Sequence, residues 1–379
     1  MATPSIPAKM KAVQITAFNA PYQLNTVPVP TLGPHDLLVK VAVASFCHTD
    51  GMVTAGVFGT QLPCTASHEG SGTVVAVGHS DSSSSDDDDD GFKVGDRVMC
   101  GLPLHPCGAC GDCAGPAEAH RQYCVGARHV GVHVDGCFAE YVRVDARSTT
   151  KLPDQVSFRA AAPLACAGRT IWRGVRQAAL SSGEWFVLVG SGGGLGHLGV
   201  QFAKAMGIRV VGVDARDEGL ALSRAYGADV VVDARRGKGE VVAEVQRVTG
   251  GAGAHAAIVL SDAPGATALA AAATRMHGSV IQIAQPDDVS VPFRELVFRD
   301  IRLQGSLLCS PQESRDMVRF IAEHSADSGG GIRVETVPFE GLEKIAELVA
   351  LVRSGTLRGK AVVVVDPGQV EEERKLGAK

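Results

Sequence analysis

Two hydrophobic rhythms divide the chain. From about residue 8 to 160, short runs rich in Val and Ile (LLVKVAVA, GTVVAVG, EYVRV) are broken by Gly, Pro and Asp. That is the pattern of short strands bounded by turn residues. From about residue 183 the runs WFVLVG, IRVVGVD, DVVVD, HAAIVL and GSVIQIA alternate with the helix-like segments GHLGVQFAKAM, EGLALSRAYG, GEVVAEVQRVTG and TALAAAATRM. Strands alternating with helices predict a parallel sheet covered on both faces. Beyond about residue 306 the pattern predicts a helix near 311–324, a helix near 341–353 and a last strand, KAVVVV. Residues 80–91, SDSSSSDDDDDG, follow neither rhythm. They bury no apolar surface and repel one another, which predicts a solvated loop insertion; docking to a basic partner is the competing use.

A chain of 379 residues has room for two or three domains, or for one large two-lobed unit. Hydrophobic residues at 45% and charged residues at 20% fit a soluble globular protein with real cores. No apolar stretch reaches the length of a membrane span, and MATPSIPAKMKAV lacks the apolar core of a secretory signal. A cytoplasmic location is therefore expected. The net charge is −5, but Asp81 and Asp86 to Asp90 supply six of the negatives, and the remainder is near +1. The acidity is local, and no basic nucleic-acid surface is indicated.

VLVGSGGGLGHLGVQFAKAMG reads as a strand, a glycine-rich turn and a helix. Bare backbone at such a turn lets a pyrophosphate approach the amides at a helix N-terminus. Gly190, Gly192, Gly193, Gly194 and Gly196, with Leu195 among them, are the candidate phosphate cradle. The next strand ends in Asp214, 24 residues past Gly190. A carboxylate there accepts from ribose hydroxyls and repels a 2′-phosphate, which favours NAD over NADP. Arg216 nearby keeps NADP open. A structural βαβ unit without a nucleotide is the competing reading, and His197 reads as a surface helix histidine.

Ten cysteines in a reducing compartment point to metal binding or catalysis more than to cross-links. CGACGDC places Cys107, Cys110 and Cys113 three apart, and Cys124 follows eleven later. Four thiolates suit tetrahedral zinc and leave no open position, so such a site holds shape. Two disulfides, or a redox C-x-x-C, remain alternatives. A second set is dispersed: Cys47 in FCHTD, His68 and Glu69 in ASHEGSGTVVAVG, and Cys166 in LACAGRT. Each alone is ordinary core. Together, two thiolates and an imidazole can hold a zinc with one position free for substrate.

From MKAVQI through CHTD, SHEGSGTVVAVG, GDRV, the cysteine loop, DGCFAEYV, LACAGRTIW and VGSGGGLG to RGKAVVVV, the chain resembles the zinc-dependent medium-chain alcohol dehydrogenases. The resemblance implies an α/β protein: a doubly wound Rossmann domain at 166–306, and a mainly β, GroES-like catalytic domain from 1–165 and 307–379. It implies catalytic zinc on Cys47, His68 and Cys166, with Glu69 close behind it, and structural zinc on Cys107, Cys110, Cys113 and Cys124. Thr49 matches the hydroxyl that hydrogen-bonds the alcohol, and Asp50 the carboxylate that orients the histidine ligand. His48 and Lys360 match positions facing cofactor phosphate. Phe58 and Leu102 match residues flanking the substrate. A homodimer or homotetramer is implied, and a small alcohol or aldehyde as partner.

The chain departs from the family in four places. Met52 stands where a histidine commonly ends the proton relay. AGPAEAHRQY lengthens the cysteine loop by three, so His120 competes with Cys124; the downstream register favours Cys124. Ser67 replaces the usual glycine before His68. Leu102 is smaller than the tryptophan often found there, which suggests a roomier pocket. The leading function is an NAD-dependent alcohol dehydrogenase. The alternatives are an NADPH-linked aldehyde reductase of a biosynthetic pathway, and a non-enzymatic binding protein on the same fold.

Overall fold

The computed structural model describes residues 6–78, 91–114, 120–324 and 331–377. The acidic insertion, apart from Gly91, lies outside the described residues. The chain forms two compact units. The first takes the described residues through Arg169, those from Cys309 to 324, and those from Thr336 onward; the second takes Thr170–Leu308 and residues 331–335.

The first unit opens with β1 (Lys9–Ile15), β2 (Gln23–Pro28), β3 (Asp36–Ser45), α1 (His48–Thr54), β4 (Cys64–Thr65), β5 (Glu69–Val77), β6 (Arg97–Met99), β7 (Tyr141–Asp145), β8 (Thr150–Lys151) and α2 (Phe158–Pro163). Helix α1 interrupts a region whose pattern predicts strands alone. Asp50 explains it: its carboxylate accepts from the Cys47 amide at 2.7 Å and closes the first turn. A π-helical turn, Leu164–Gly168, follows α2.

The second unit runs through α3 (Arg169–Gln177), β9 (Trp185–Val189), α4 (Gly196–Ala205), β10 (Arg209–Asp214), α5 (Asp217–Ala225), β11 (Val230–Asp233), α6 (Lys238–Val248), β12 (Ala254–Val259), α7 (Ala266–Ala273), β13 (Thr274–Gln282), α8 (Phe293–Val297) and β14 (Arg302–Gly305). Its six strands are all parallel, in the order β11-β10-β9-β12-β13-β14. The order reverses between β9 and β12, and ligands of such sheets bind where it reverses. Val187, Val211, Val213, Val241, Ala257 and Val280 fill the core. Thr274–Met276, predicted to continue a helix, instead begin β13. The Thr274 hydroxyl donates to the Ala270 carbonyl at 2.8 Å and ends the alanine helix.

The chain then returns to the first unit with α9 (Pro311–Glu323), β15 (Thr336–Glu340), α10 (Ile345–Arg353), β16 (Lys360–Val364) and α11 (Pro367–Arg374). Strand β16 joins the larger sheet, in which β15-β16-β3-β5-β6-β8 are neighbours and β7 also pairs with β3. Helix α11 extends past the last predicted strand; Asp366 caps it and Pro367 occupies its first position. Among the described residues no helix is long and apolar enough to cross a membrane.

Candidate active site and structural metal centre

Two clusters of metal-ligating side chains form in the first unit. In one, single ligand atoms of Cys47, His68, Glu69 and Cys166 all lie within 4.8 Å of one another. Cys47 precedes α1, His68 precedes β5, and Cys166 sits in the π-helical turn. That turn widens the helix locally, a distortion frequent at functional sites. The fold thus gathers residues 119 positions apart in sequence.

His68 is buried, and its tautomer is set by its partner. Asp50 Oδ1 lies 3.3 Å from Nδ1, so Nδ1 donates to Asp50 and Nε2 is the ring atom left to face an ion. That Nε2 has no hydrogen-bond partner, although the side chain is only 3% exposed. A buried polar atom left bare costs about 1–3 kcal/mol, and a cation among the thiols, replacing its proton, would satisfy it. The donor set fits zinc.

Without an ion the charges of the cluster hold a proton on the imidazole, in the place a cation would take. A hydrogen bond from Cys166, together with the Lys360 and His68 charges, pushes the Cys47 thiol well down against its burial; the same contact and burial push Cys166 up. Burial alone would lower the His68 imidazole, but Asp50 and Cys47 outweigh it and hold it well above its usual value. Burial raises the Glu69 carboxyl to about 7 against the pull of Lys360. Glu69 Oε1 accepts from the Ala167 amide at 3.2 Å, and its Oε2 is 2.7 Å from Lys360 Nζ.

That ion pair corrects the expected role of Lys360. Its side chain is 6% exposed and its ammonium is committed to Glu69, so it presents no free cation to a phosphate. His48 is exposed and Thr49 half-buried, both on the first turn of α1. Met52 lies on the same helix, half-buried. Leu102 is buried and Phe58 half-buried in this unit.

The turn that carries His68 is unusual. Ser67 has a positive φ of 71°, the left-handed region that favours glycine. Its hydroxyl donates to the Ser45 carbonyl at 2.9 Å. The loop 131–137 clasps this turn: a Cβ on Gly131 or Gly136 would fall 2.2 or 2.1 Å from the Ser67 carbonyl oxygen. Neither glycine nor Ser45 carried a signal in the sequence beyond its residue type.

In the second cluster the sulfurs of Cys107, Cys110, Cys113 and Cys124 converge, without His120. The Cys110 amide donates to Cys107 Sγ and the Cys107 amide to Cys124 Sγ, each at 3.3 Å. Amides of Ala109 and Cys110 lower the exposed Cys107 thiol to about 6, while burial raises Cys113 to about 12. None of the ten cysteines forms a disulfide.

In the second unit the glycine turn joins β9 to α4. Gly190 has φ 91°, and a Cβ on Gly192 or Gly196 would strike Gly219 or Gly190 backbone at 2.0 and 2.2 Å. Gly193, Gly194 and Leu195 are half-exposed at the α4 N-terminus, where first-turn amides have no intrahelical acceptor. Asp214 ends β10 and accepts from the Gly192 amide at 2.9 Å and the Arg216 amide at 3.0 Å. His197 is buried, not on the surface: Nδ1 lies 3.1 Å from the Gly193 carbonyl, and Nε2 accepts from the Glu335 amide at 3.2 Å.

The sequence and fold match known proteins over nearly the whole chain. Residues 33–154 match an alcohol dehydrogenase GroES-like domain, and residues 194–323 a zinc-binding dehydrogenase domain. Alcohol dehydrogenase 1 of Emericella nidulans is 34% identical, covering 95% of this chain and 99% of its own. An alcohol dehydrogenase of Geobacillus stearothermophilus is 32% identical over 94% and 100%. The alcohol dehydrogenase structure from the hyperthermophilic archaeon Aeropyrum pernix superposes with a TM-score of 0.81 at 30% identity, covering 93% of this chain and 99% of that one.

Proposed function

The chain belongs to the zinc-dependent medium-chain alcohol dehydrogenase family, and we propose that it interconverts a primary or secondary alcohol and its aldehyde or ketone with NAD(H). The observation that carries the reading is the bare, buried Nε2 of His68 beside two thiols, with Nδ1 held by Asp50. Cys47, His68 and Cys166 would hold the catalytic ion. Zinc there supplies a Lewis acid that polarises a hydroxyl or carbonyl oxygen.

The chain's own groups do the rest. Asp50 fixes the histidine tautomer and ring plane. The Thr49 hydroxyl takes the alcohol proton in oxidation and returns one in reduction. Met52 cannot relay that proton, so His48 or water carries it out. The Glu69–Lys360 pair keeps two buried charges balanced behind the site. Phe58 and Leu102 flank the alcohol. Cys107, Cys110, Cys113 and Cys124 would hold a second zinc that shapes their loop.

In the second unit, amides at the start of α4 receive the pyrophosphate and Asp214 the ribose hydroxyls. The Arg216 guanidinium donates to the Gly192 carbonyl at 3.2 Å and lies 3.6 Å from Asp214. A 2′-phosphate would meet that carboxylate, which supports NAD over NADP. Clustered reduced thiols suit a cytoplasmic setting.

A homo-oligomer is part of the same reading. Phe293, Val297 and Phe298, in and just after α8, are 62–69% exposed, and Leu303 is exposed on β14, the edge of the parallel sheet. Apolar groups along an unpaired edge strand favour self-association. Light scattering reading only monomer would overturn that part. The function is tested by zinc content and by alcohol oxidation with NAD and with NADP, on the parent and a His68→Ala variant. Two zincs per chain, an NAD preference, and loss of one zinc together with activity in His68→Ala are expected. One zinc per chain, retained by His68→Ala, overturns the reading.

A further inference from the structure

Ser67 adjoins the metal-ligating histidine, and its backbone holds a glycine-like conformation with φ 71°. It is fully buried. The hydroxyl donates to the Ser45 carbonyl at 2.9 Å and accepts from the Glu69 amide at 3.3 Å. Ser45 ends β3, two residues before Cys47, and Glu69 opens β5, one residue after His68. One hydroxyl therefore links the two segments that bear the first two ligands. Glycine would adopt the same backbone with less strain but could make neither bond.

We infer that Ser67 is a positioning residue: its hydroxyl sets the separation of the Cys47- and His68-bearing segments and so fixes how tightly the catalytic ion is held. It touches only backbone and takes no part in proton or hydride movement. The inference rests on the reading that Cys47, His68 and Cys166 bind zinc.

Two substitutions separate the hydroxyl from the backbone conformation. Ser67→Ala removes the hydroxyl and keeps the strained φ. Ser67→Gly removes the hydroxyl and relieves the strain. Each purified variant is followed by thermal unfolding and by zinc per chain during incubation with excess chelator. His68→Ala, run alongside, identifies the part of zinc release that belongs to the catalytic site.

Ser67→Gly is expected to unfold within a few degrees of the parent, since strain relief offsets the lost bonds. It should nevertheless release the catalytic zinc about fivefold faster, the effect of one net hydrogen bond. Ser67→Ala should melt lower and release zinc at least as fast. Parental release by Ser67→Gly overturns the inference, because the hydroxyl would then serve only to tolerate the turn. If Ser67→Ala does not fold, Ser67→Gly decides alone. Release in His68→Ala identical to the parent's refutes the metal assignment itself, which is a different failure.

Discussion

Replacing Gly136 by alanine tests the clasp around the histidine ligand. The new Cβ would fall 2.1 Å from the Ser67 carbonyl oxygen, 2.5 Å from that of Ala66 and 2.6 Å from Gly131 Cα. All three are backbone atoms, so no side chain can swing aside. Gly136 does not occupy the left-handed region, so the substitution adds crowding without a φ penalty. A carbon and an oxygen need a little over 3 Å, so the strands must part by about 1 Å. Three hydrogen bonds cross that seam: Gly136 N to Thr65 O at 2.9 Å, Cys137 N to Ser67 O at 2.7 Å, and Phe138 N to Ala66 O at 2.9 Å. Stretching them costs about 1 kcal/mol each, and reduced unfolded-state entropy returns about 0.4–1 kcal/mol. The net expectation is a loss of about 2–3 kcal/mol in urea unfolding, with less zinc per chain because His68 moves with Ser67. Gly239→Ala is the control. It lies on α6 with open space at its Cβ, and should stabilise by about 0.5 kcal/mol. If Gly136→Ala unfolds within about 0.5 kcal/mol of the parent and keeps its full zinc, the clasp argument is wrong.

Buried titratable groups, and one missing proton relay, give three further outcomes. His129 is lowered to about 4, mainly by burial and then by His133. Its folded value lies below its unfolded one, so the stability it contributes is full above about pH 6.5 and is lost as pH falls through 4, to a ceiling of about 3 kcal/mol; His129→Gln should flatten the urea midpoint between pH 7 and 4. Lys360→Met leaves Glu69 buried beside no cation and should cost about 3 kcal/mol. Adding Glu69→Gln should restore much of it, and a double variant no better than the single would show that the pair is not the cause. Met52→His should shift the pH–rate profile for alcohol oxidation toward neutrality; a profile superimposable on the parent's would remove Met52 from any account of proton release.

Five of the six strands of the parallel sheet were readable because each contains an apolar run, as in WFVLVG and IRVVGVD; β14, RLQG, is exposed throughout and left no such run. Local chemistry was readable where it is local: three cysteines spaced by two residues fold one loop, and Cys124, which the downstream register favours over His120, converges with them. Short helices were less legible. Helix α1 spans only seven residues and is nucleated by a single carboxylate that bonds the Cys47 amide, which no hydrophobic period records. His197 looked external because it follows a glycine turn. It is buried because residues 331–335 return over α4, with the Arg333 amide bonded to Gln201 Oε1 at 2.7 Å and the Glu335 amide to His197.

Lys360 shows why the remainder could not be read. Its expected place was at a phosphate, an expectation that came from the resemblance and took no account of the pairing of its own strand. Sheet register decides otherwise. Val362 of β16 lies opposite Ser45 of β3, and Ser45 lies opposite Glu69 of β5. Beyond Ser45 the middle strand ends and turns into Cys47 and α1, while the Phe46 amide still bonds the Ala361 carbonyl at 3.0 Å. The gap left by β3 is where Lys360, two residues before Val362 and on the same strand face, reaches across to Glu69. The partners are 291 residues apart in sequence, and no spacing rule joins them. The same register places Ser45 beneath Ser67. Backbone pairing between strands distant along the chain therefore determines both the charge balance behind the metal-ligating cluster and the hydroxyl contact beside it, whereas the ligands themselves were legible from the motifs that carry them.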